Sequence, residues 1–94
     1  MDLQIKNKTA IVCASSQGLG KAAAMELASE GVNLVISSRT EEDLLNVKKE
    51  IEIATSSKIL SIVADLNKPE DIDNLYNKAT SELGSIDILI NNAG

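Results

Sequence analysis

Histidine is absent from this 94-residue sequence, and Cys13 is its single cysteine. Catalysis by a Ser-His or Cys-His pair, a histidine metal site and a cysteine-clustered zinc site therefore cannot be built from these residues. Nothing in the sequence points to an oxygen-ligand metal site instead. Cys13 lies in an apolar run, where a thiol that packs as a small buried group is more common than a reactive one. The sequence thus predicts a structural Cys13 and no metal.

Aromatic residues and positive charge are also scarce. Tyr76 is the only aromatic residue, and the formal net charge is -5. Without further aromatic side chains the chain cannot form a stacking platform for single-stranded nucleic acid, and its negative charge disfavours phosphate backbones and anionic lipid surfaces. We therefore expect neither nucleic acid nor a membrane as a partner.

The N-terminal residues lack the long apolar run of a signal peptide, so we expect a cytoplasmic protein. Hydrophobic residues make up 44% of the chain and charged residues 24%, which is the balance of a folded globular domain rather than a disordered chain. The length permits one core, and we expect a single domain over residues 1–94.

Short apolar runs rich in β-branched residues alternate with segments of helical periodicity. The runs predict strands at residues 9–14, 33–38, 59–64 and 86–90. Between the first two strands, residues 15–18 have turn chemistry and residues 19–30 a helical pattern that Gly31 closes. A second helix is predicted after an N-cap at Thr40, with the apolar stripe Leu44, Val47, Ile51 and Ala54. A third helix is predicted to begin at Pro69 and to end at Gly84. Its apolar stripe consists of Ile72, Leu75, Tyr76, Ala79 and Leu83. Because Tyr76 lies on this stripe, we expect its side chain to be packed or interfacial.

Strict alternation of strands and helices predicts an α/β fold. Parallel strands joined by right-handed helical crossovers would form the N-terminal half of a Rossmann-type doubly wound sheet, with the strand order 3-2-1-4. Strand 4 would then be an edge where a complete fold continues. We therefore expect the domain to be truncated before a second half.

The loop after the first strand has the chemistry of a phosphate site. Gly18 and Gly20 permit close approach of backbone amides to a pyrophosphate, whose charge the positive end of the following helix stabilises. The same glycines also suit a tight turn and close helix packing, and both duties agree with cofactor binding. Residues 14–17 make this loop longer than the G-x-G-x-x-G fingerprint expects.

The sequence resembles the short-chain dehydrogenase/reductase family over all of its residues. In the family pattern Thr-Gly-x-x-x-Gly-Ile-Gly, Cys13 and Ala14 replace the Thr and the first Gly, and the loop ends in Gly18-Leu19-Gly20 in place of Gly-Ile-Gly. Further matches are Ser38-Arg39, Ala64-Asp65-Leu66 and the terminal Asn91-Asn92-Ala93-Gly94, each at the carboxyl end of a predicted strand. Ligands of open α/β sheets bind at those ends, so the motifs converge on one crevice.

The resemblance implies a dinucleotide-binding site formed by Ser15, Ser16, Gln17, Gly18, Leu19, Gly20, Ser38, Arg39, Asp65, Leu66, Asn92, Ala93 and Gly94. Ser16 is suited equally to capping the first helix and to contacting the cofactor. Asp65 either caps a turn or, as in the family, accepts a hydrogen bond from the adenine amino group. Asn92 and its neighbours are expected to hold the central strands and to line the nicotinamide ribose.

Arg39 favours NADP over NAD. Family members specific for NAD carry an acid at the end of strand 2, whose carboxylate repels a 2′-phosphate. This chain has Ser38 and then Arg39, whose guanidinium can bind that phosphate through two N–H groups. A solvated Arg39 at a helix start is the alternative interpretation.

The family's catalytic Ser, Tyr and Lys would all follow Gly94, so no catalytic residue is expected here and the 94-residue chain should be inactive. The resemblance implies that the complete protein is a homo-oligomeric, NADP-dependent oxidoreductase transferring hydride between nicotinamide and a small carbonyl or alcohol substrate. The loops most resemble the 3-oxoacyl-(acyl-carrier-protein) reductase branch. A non-catalytic nucleotide-binding module, ending natively at Gly94, is the alternative.

Overall fold

The computed structural model describes residues 7–13, 18–55 and 59–91. Over these residues strands and helices alternate as the sequence predicts, and each helix connects two strands of one sheet. The elements are β1 Thr9–Cys13, α1 Gly18–Ser29, β2 Asn33–Ser38, α2 Glu41–Thr55, β3 Ile59–Val63, α3 Pro69–Leu83 and β4 Ile88–Asn91.

The described strands form one parallel sheet in the order β3-β2-β1-β4. β1 lies between β2 and β4, and all of its residues are buried. Its short run of apolar residues with little alternation is typical of a strand covered on both faces. The prediction of a half Rossmann sheet with the order 3-2-1-4 is therefore confirmed.

Helices cover both faces of the sheet, and each face has its own core. Ala10 and Val12 point to one side and pack with the buried residues of α1 and α2, which include Ala24, Ala28, Leu44, Val47 and Ile51. Ile11 and Cys13 point to the other side and pack with Leu75 and Ala79 of α3. Small alanines in α1 and α3 permit close contact between helix and sheet, as the alanine-rich sequence indicates.

Helix α1 ends where Gly31 reverses the chain. The amide of Gly31 donates to the carbonyl of Ala28 at 3.1 Å, and the amide of Val32 donates to that of Leu27 at 3.2 Å. Gly31 has φ 85, so these two bonds form the Schellman arrangement, and Val32 returns the chain into the core at the start of β2.

Strand β4 begins two residues later than the sequence predicts. Its ladder with β1 starts at the pair Ala10–Ile88. Just before it, Asp87 and Thr9 exchange two hydrogen bonds of 2.9 Å: the Asp87 amide donates to the Thr9 carbonyl, and the Thr9 amide donates to Asp87 Oδ2. A side-chain oxygen therefore replaces a backbone carbonyl at this point, and the predicted start at Ile86 is wrong.

Other boundaries differ by one residue. Gly18, predicted in the turn, is the first residue of α1, and β3 ends at Val63 rather than at Ala64. Ala14, the predicted last residue of the first strand, lies outside the described residues. Ala54 is exposed, since the part of α2 that packs into the core ends at Ile51.

Helix α3 packs on the sheet through a narrower face than its apolar stripe suggests. Leu75 and Ala79 are buried, whereas Ile72 is 44% exposed and Tyr76 54%. Tyr76 borders an open groove whose other walls are Ile11 and the residues from Ile86 to Leu89 beside β4. Of the two predicted roles of Tyr76, a side chain packed in the core is not observed, and an interfacial side chain remains a prediction.

Candidate functional site

All four described strands end at the same edge of the sheet. The register pairs Cys13 with both Ser37 and Asn91, and pairs Ser38 with Val63. The last residues of the strands, Cys13, Ser38, Val63 and Asn91, therefore lie at one edge of the sheet. This edge is the place where ligands of open α/β folds bind.

Helix α1 is the element that follows β1 in the chain. β1 ends at Cys13 and α1 begins at Gly18, so residues 14–17 connect them. The first turn of α1 has no acidic residue, which leaves the positive end of its dipole uncompensated by side-chain charge. Ser15, Ser16 and Gln17 lie outside the described residues, as do Asn92, Ala93 and Gly94, and their roles remain predictions.

Lys21, in the first turn of α1, forms an ion pair with a residue of helix α2. Its Nζ lies 2.5 Å from Glu50 Oε2 on α2, and both side chains are well exposed. An exposed pair of this kind contributes little to stability. It joins α1 to α2, and Lys21 is not a member of the predicted site.

The segment after β2 presents Arg39 to solvent. The Ser38 carbonyl accepts a 3.0 Å hydrogen bond from the amide of Ala64, which ties the ends of β2 and β3 together. Ser38 Oγ accepts a 3.4 Å bond from the amide of Thr40. Arg39 is exposed, and no carboxylate of the described residues forms an ion pair with it. Arg39 is therefore an exposed residue at the carboxyl edge of the sheet, directly after the anchored end of β2.

The segment after β3 holds Asp65 in a turn. Asp65 Oδ1 accepts a 2.9 Å bond from the amide of Asn67, and the Asp65 carbonyl accepts one of 2.9 Å from the amide of Lys68. The turn-capping alternative is thereby observed. Because a carboxylate accepts through both oxygens, this turn does not exhaust the hydrogen-bonding capacity of Asp65, and its contact with adenine remains a prediction. The Leu66 side chain is partly buried against the core beneath α3.

Asp71 contacts the predicted site residue Asp65, and the sequence did not predict this contact. Its Oδ2 accepts a 2.9 Å hydrogen bond from the backbone amide of Asp65. The sequence places Asp71 in an acidic first turn of α3, where a carboxylate is expected for its interaction with the helix dipole. No periodicity links positions 65 and 71, so its partner could not be found from spacing.

Two small polar side chains are buried beneath this edge. Cys13 is 3% exposed, and burial raises the pKa of its thiol above its ordinary value, which agrees with the predicted structural role. Ser37, its neighbour in the register, is buried, and its Oγ has no hydrogen-bond partner among the described residues. The part of the chain that the structure describes contains no cluster of His, Cys, Asp or Glu able to hold a metal ion.

A family model described as short chain dehydrogenase matches residues 8–94, nearly the whole chain. The chain belongs to the short-chain dehydrogenase family. The resemblance that the sequence motifs indicate is thus confirmed, and the half Rossmann sheet is the family's nucleotide-binding architecture. No helix among the described residues of this short-chain dehydrogenase chain has the length and apolarity needed to cross a membrane.

Similar proteins include several reductases. The chain is 39% identical over 103 aligned residues to a probable chloroplastic chlorophyll(ide) b reductase of Oryza sativa subsp. japonica, covering 93% of this chain and 20% of that protein. An uncharacterized oxidoreductase of Staphylococcus saprophyticus is 33% identical, with 98% of this chain and 39% of that protein covered.

Solved structures of the family superimpose closely on the fold. L-sorbose reductase from Gluconobacter frateurii, complexed with NADPH and L-sorbose, gives a TM-score of 0.95 at 33% identity, with 100% of this chain and 36% of that one covered. A variant of actinorhodin polyketide ketoreductase with NADPH gives 0.88 at 28% identity, covering 93% and 33%. This short-chain dehydrogenase chain therefore spans well under half of the length of its relatives.

Proposed function

We propose that this chain provides the NADP-binding edge of an oxidoreductase that transfers hydride between nicotinamide and a carbonyl or alcohol substrate. The observation that carries the proposal is the convergence of three ligand-binding features on one sheet edge. They are the N-terminus of α1 at Gly18, the exposed Arg39 after β2, and the ordered turn at Asp65 after β3.

The pyrophosphate is assigned to the start of α1. Gly18 is the first residue of that helix, and Gly20 lies in its first turn. The first backbone amides of a helix have no intrahelical acceptor, and together with the dipole they stabilise a bound anion. The absence of acidic residues from this turn keeps the local field favourable for a phosphate group.

The 2′-phosphate of NADP is assigned to Arg39. Its guanidinium can form paired charge-assisted hydrogen bonds with phosphate oxygens, and Ser38 brings a neutral hydroxyl where an acid would repel the phosphate. The two relatives of solved structure reported above are complexes with NADPH, which supports the choice of NADP over NAD.

The remaining chemistry lies with the cofactor and with the family's catalytic groups. Bound NADPH would supply a hydride from its nicotinamide ring, and the residues of this chain would bind and orient the cofactor. The family's proton donor is a Tyr with a Lys four residues later, and here Tyr76 is followed at that spacing by Thr80. We therefore assign the catalytic Ser, Tyr and Lys to a part of the complete protein outside these 94 residues. The resemblance to the family is our reason for proposing that the complete protein is a homo-oligomer.

A 3-oxoacyl thioester is the substrate class to test first, because the loops at residues 15–20 and 37–39 most resemble that branch. The full-length protein is incubated with NADPH deuterated at C4 and with 3-oxoacyl thioesters, sugars and cyclic ketones. Transfer of deuterium to the carbinol carbon of an alcohol product supports the proposal. Saturable NADPH binding without transfer to any substrate favours the nucleotide-binding module, and absence of binding overturns both.

The 94-residue chain serves as the control in that assay. It carries the proposed cofactor edge but no Tyr-x-x-x-Lys pair. General acid catalysis and an oriented substrate oxygen are both needed for the hydride step, so the expected turnover is the enzyme-free rate. Substrate-dependent oxidation of NADPH by this chain alone would contradict the assignment of the catalytic groups.

A further inference from the structure

We infer that Asp71 is a positioning residue, which holds Asp65 where its carboxylate meets the adenine of the dinucleotide. The inference rests on the proposed function, because it concerns the same cofactor edge. It assigns a role to a residue that touches no ligand itself. Its action passes through one hydrogen bond, from the Asp65 amide to Asp71 Oδ2 at 2.9 Å.

The bond is unusual for a helix start. Lys68 is the N-cap of α3 and forms no side-chain capping bond, and Asp71 is the third residue of the helix. An acidic residue at this position commonly reaches back to the amide of the N-cap residue itself. Asp71 instead accepts its hydrogen bond from the amide of Asp65, three residues before Lys68. The bond therefore connects α3 to the segment that follows β3, and it does not cap the helix.

The other bonds of Asp65 are local to its own turn. Asn67 donates its amide to Asp65 Oδ1, and Lys68 donates its amide to the Asp65 carbonyl, both at 2.9 Å. These two bonds fix the shape of the turn, but they do not fix its position relative to the rest of the protein, because both partners belong to the turn. Among the described contacts of Asp65, the bond to Asp71 is the one that joins this turn to the body of α3.

Helix α3 is a suitable anchor because its face is fixed in the core. Leu75 lies one turn after Asp71 and is buried, and Ala79 follows one turn later, fully buried. On the other side, the Ala64 amide donates to the carbonyl of Ser38 on β2. Asp65 is therefore held between the end of β2 and the start of α3.

A change at Asp71 should alter recognition of the adenine amino group more than it alters the rest of cofactor binding. The probe is deamino-NADP, in which hypoxanthine replaces adenine and a carbonyl oxygen replaces the amino group. Wild-type protein should bind NADP at least about tenfold more tightly than deamino-NADP, the lower end of the range expected of one charge-assisted hydrogen bond. Asp65→Ala should abolish that preference.

Dissociation constants of both dinucleotides are measured by calorimetry on the full-length protein. Asp71→Ala should reduce the preference for NADP to within about twofold, while binding of deamino-NADP changes less than about threefold. Asp71→Asn retains an amide oxygen as acceptor and should restore most of the preference. Asp73→Ala removes the same charge from an exposed position of α3 and should leave the preference unchanged.

A purely structural role for Asp71 would lower the affinity for both dinucleotides by the same factor and leave the preference intact, which would overturn the inference. A wild-type protein that binds NADP and deamino-NADP equally would overturn it too, since Asp65 would then not read the amino group. Failure to bind either dinucleotide would instead refute the proposed function.

Should Asp71→Ala fail to fold, hydrogen exchange of the wild-type protein still decides the point. The Asp65 amide is expected to exchange at least about tenfold more slowly than an unstructured amide, because it is bonded to a carboxylate of the packed α3. Saturating NADP should slow it further. Exchange of the Asp65 amide at the unstructured rate would overturn the inference.

Discussion

At the scale of single residues, side-chain and backbone hydrogen bonds order the carboxyl edge of the sheet. Ser38 and Asp65 each form hydrogen bonds that connect strand ends and turns. Their residue types and positions after strands were visible in the sequence. The bond between Asp65 and Asp71 was not, because it depends on the path of the turn between them.

Replacement of Arg39 by Ala should weaken NADP binding and spare NAD. Loss of a charge-assisted phosphate contact corresponds to about 1.5 to 3 kcal/mol, or roughly ten- to hundredfold in the dissociation constant. NAD lacks the 2′-phosphate, so its affinity should change less than about threefold. Calorimetry on the full-length protein checks this, with Lys49→Ala, an exposed cation on α2, as the control. Equal weakening of both cofactors would remove Arg39 from the 2′-phosphate site.

Replacement of Ser37 by Ala should leave the free energy of unfolding unchanged or raise it by up to about 1 kcal/mol. The Ser37 hydroxyl is buried without a partner among the described residues, and a desolvated, unpaired hydroxyl opposes folding. Urea denaturation measures the change, and Thr9→Ala provides a buried polar control on β1. A loss of more than about 1 kcal/mol in Ser37→Ala would show that the hydroxyl is bonded.

At the scale of elements, local pattern predicted which segments are strands and helices, and tertiary contacts decided where they end. The apolar run at residues 86–90 predicts a strand from Ile86, but Asp87 bonds to Thr9 through its side chain and delays the ladder to Ile88. Helical spacing likewise groups Tyr76 with Leu75, although only Leu75 faces an element that buries it. Periodicity identifies a face, whereas burial requires a neighbour opposite that face.

The end of helix α3 requires glycine at position 84. Gly84 has φ 85 and ψ -150, and its amide donates to the Thr80 carbonyl at 2.9 Å. A Cβ at this position would meet no atom within 4 Å, so the cost of Gly84→Ala is backbone strain alone. We expect a loss of about 1 to 3 kcal/mol in unfolding free energy.

Thermal or urea denaturation compares Gly84→Ala with Ser85→Ala, an exposed neighbour that should change stability by less than about 0.5 kcal/mol. Equal stability of the two variants would indicate that the chain leaves α3 by another path.

At the scale of the whole molecule, the sheet explains how scattered motifs form one site. Parallel strands in the order β3-β2-β1-β4 bring Cys13, Ser38, Val63 and Asn91 to one edge, and the alternation of strands and helices was sufficient to predict this. The roles of residues 14–17 and 92–94 remain predictions, because they lie outside the described residues. Substrate choice cannot be predicted from these motifs, since the proposed function assigns them to the cofactor.

The most direct test of the account is a titration of the ¹⁵N-labelled protein with NADP, followed by backbone amide chemical shifts. We predict saturable shifts at the carboxyl edge, at Gly18, Gly20, Arg39 and Asp65, with the opposite edge at Lys8, Gly31 and Asp87 unchanged. Shifts concentrated at that opposite edge, or no saturable shift at any residue, would contradict the assignment of the dinucleotide to the carboxyl edge of the sheet.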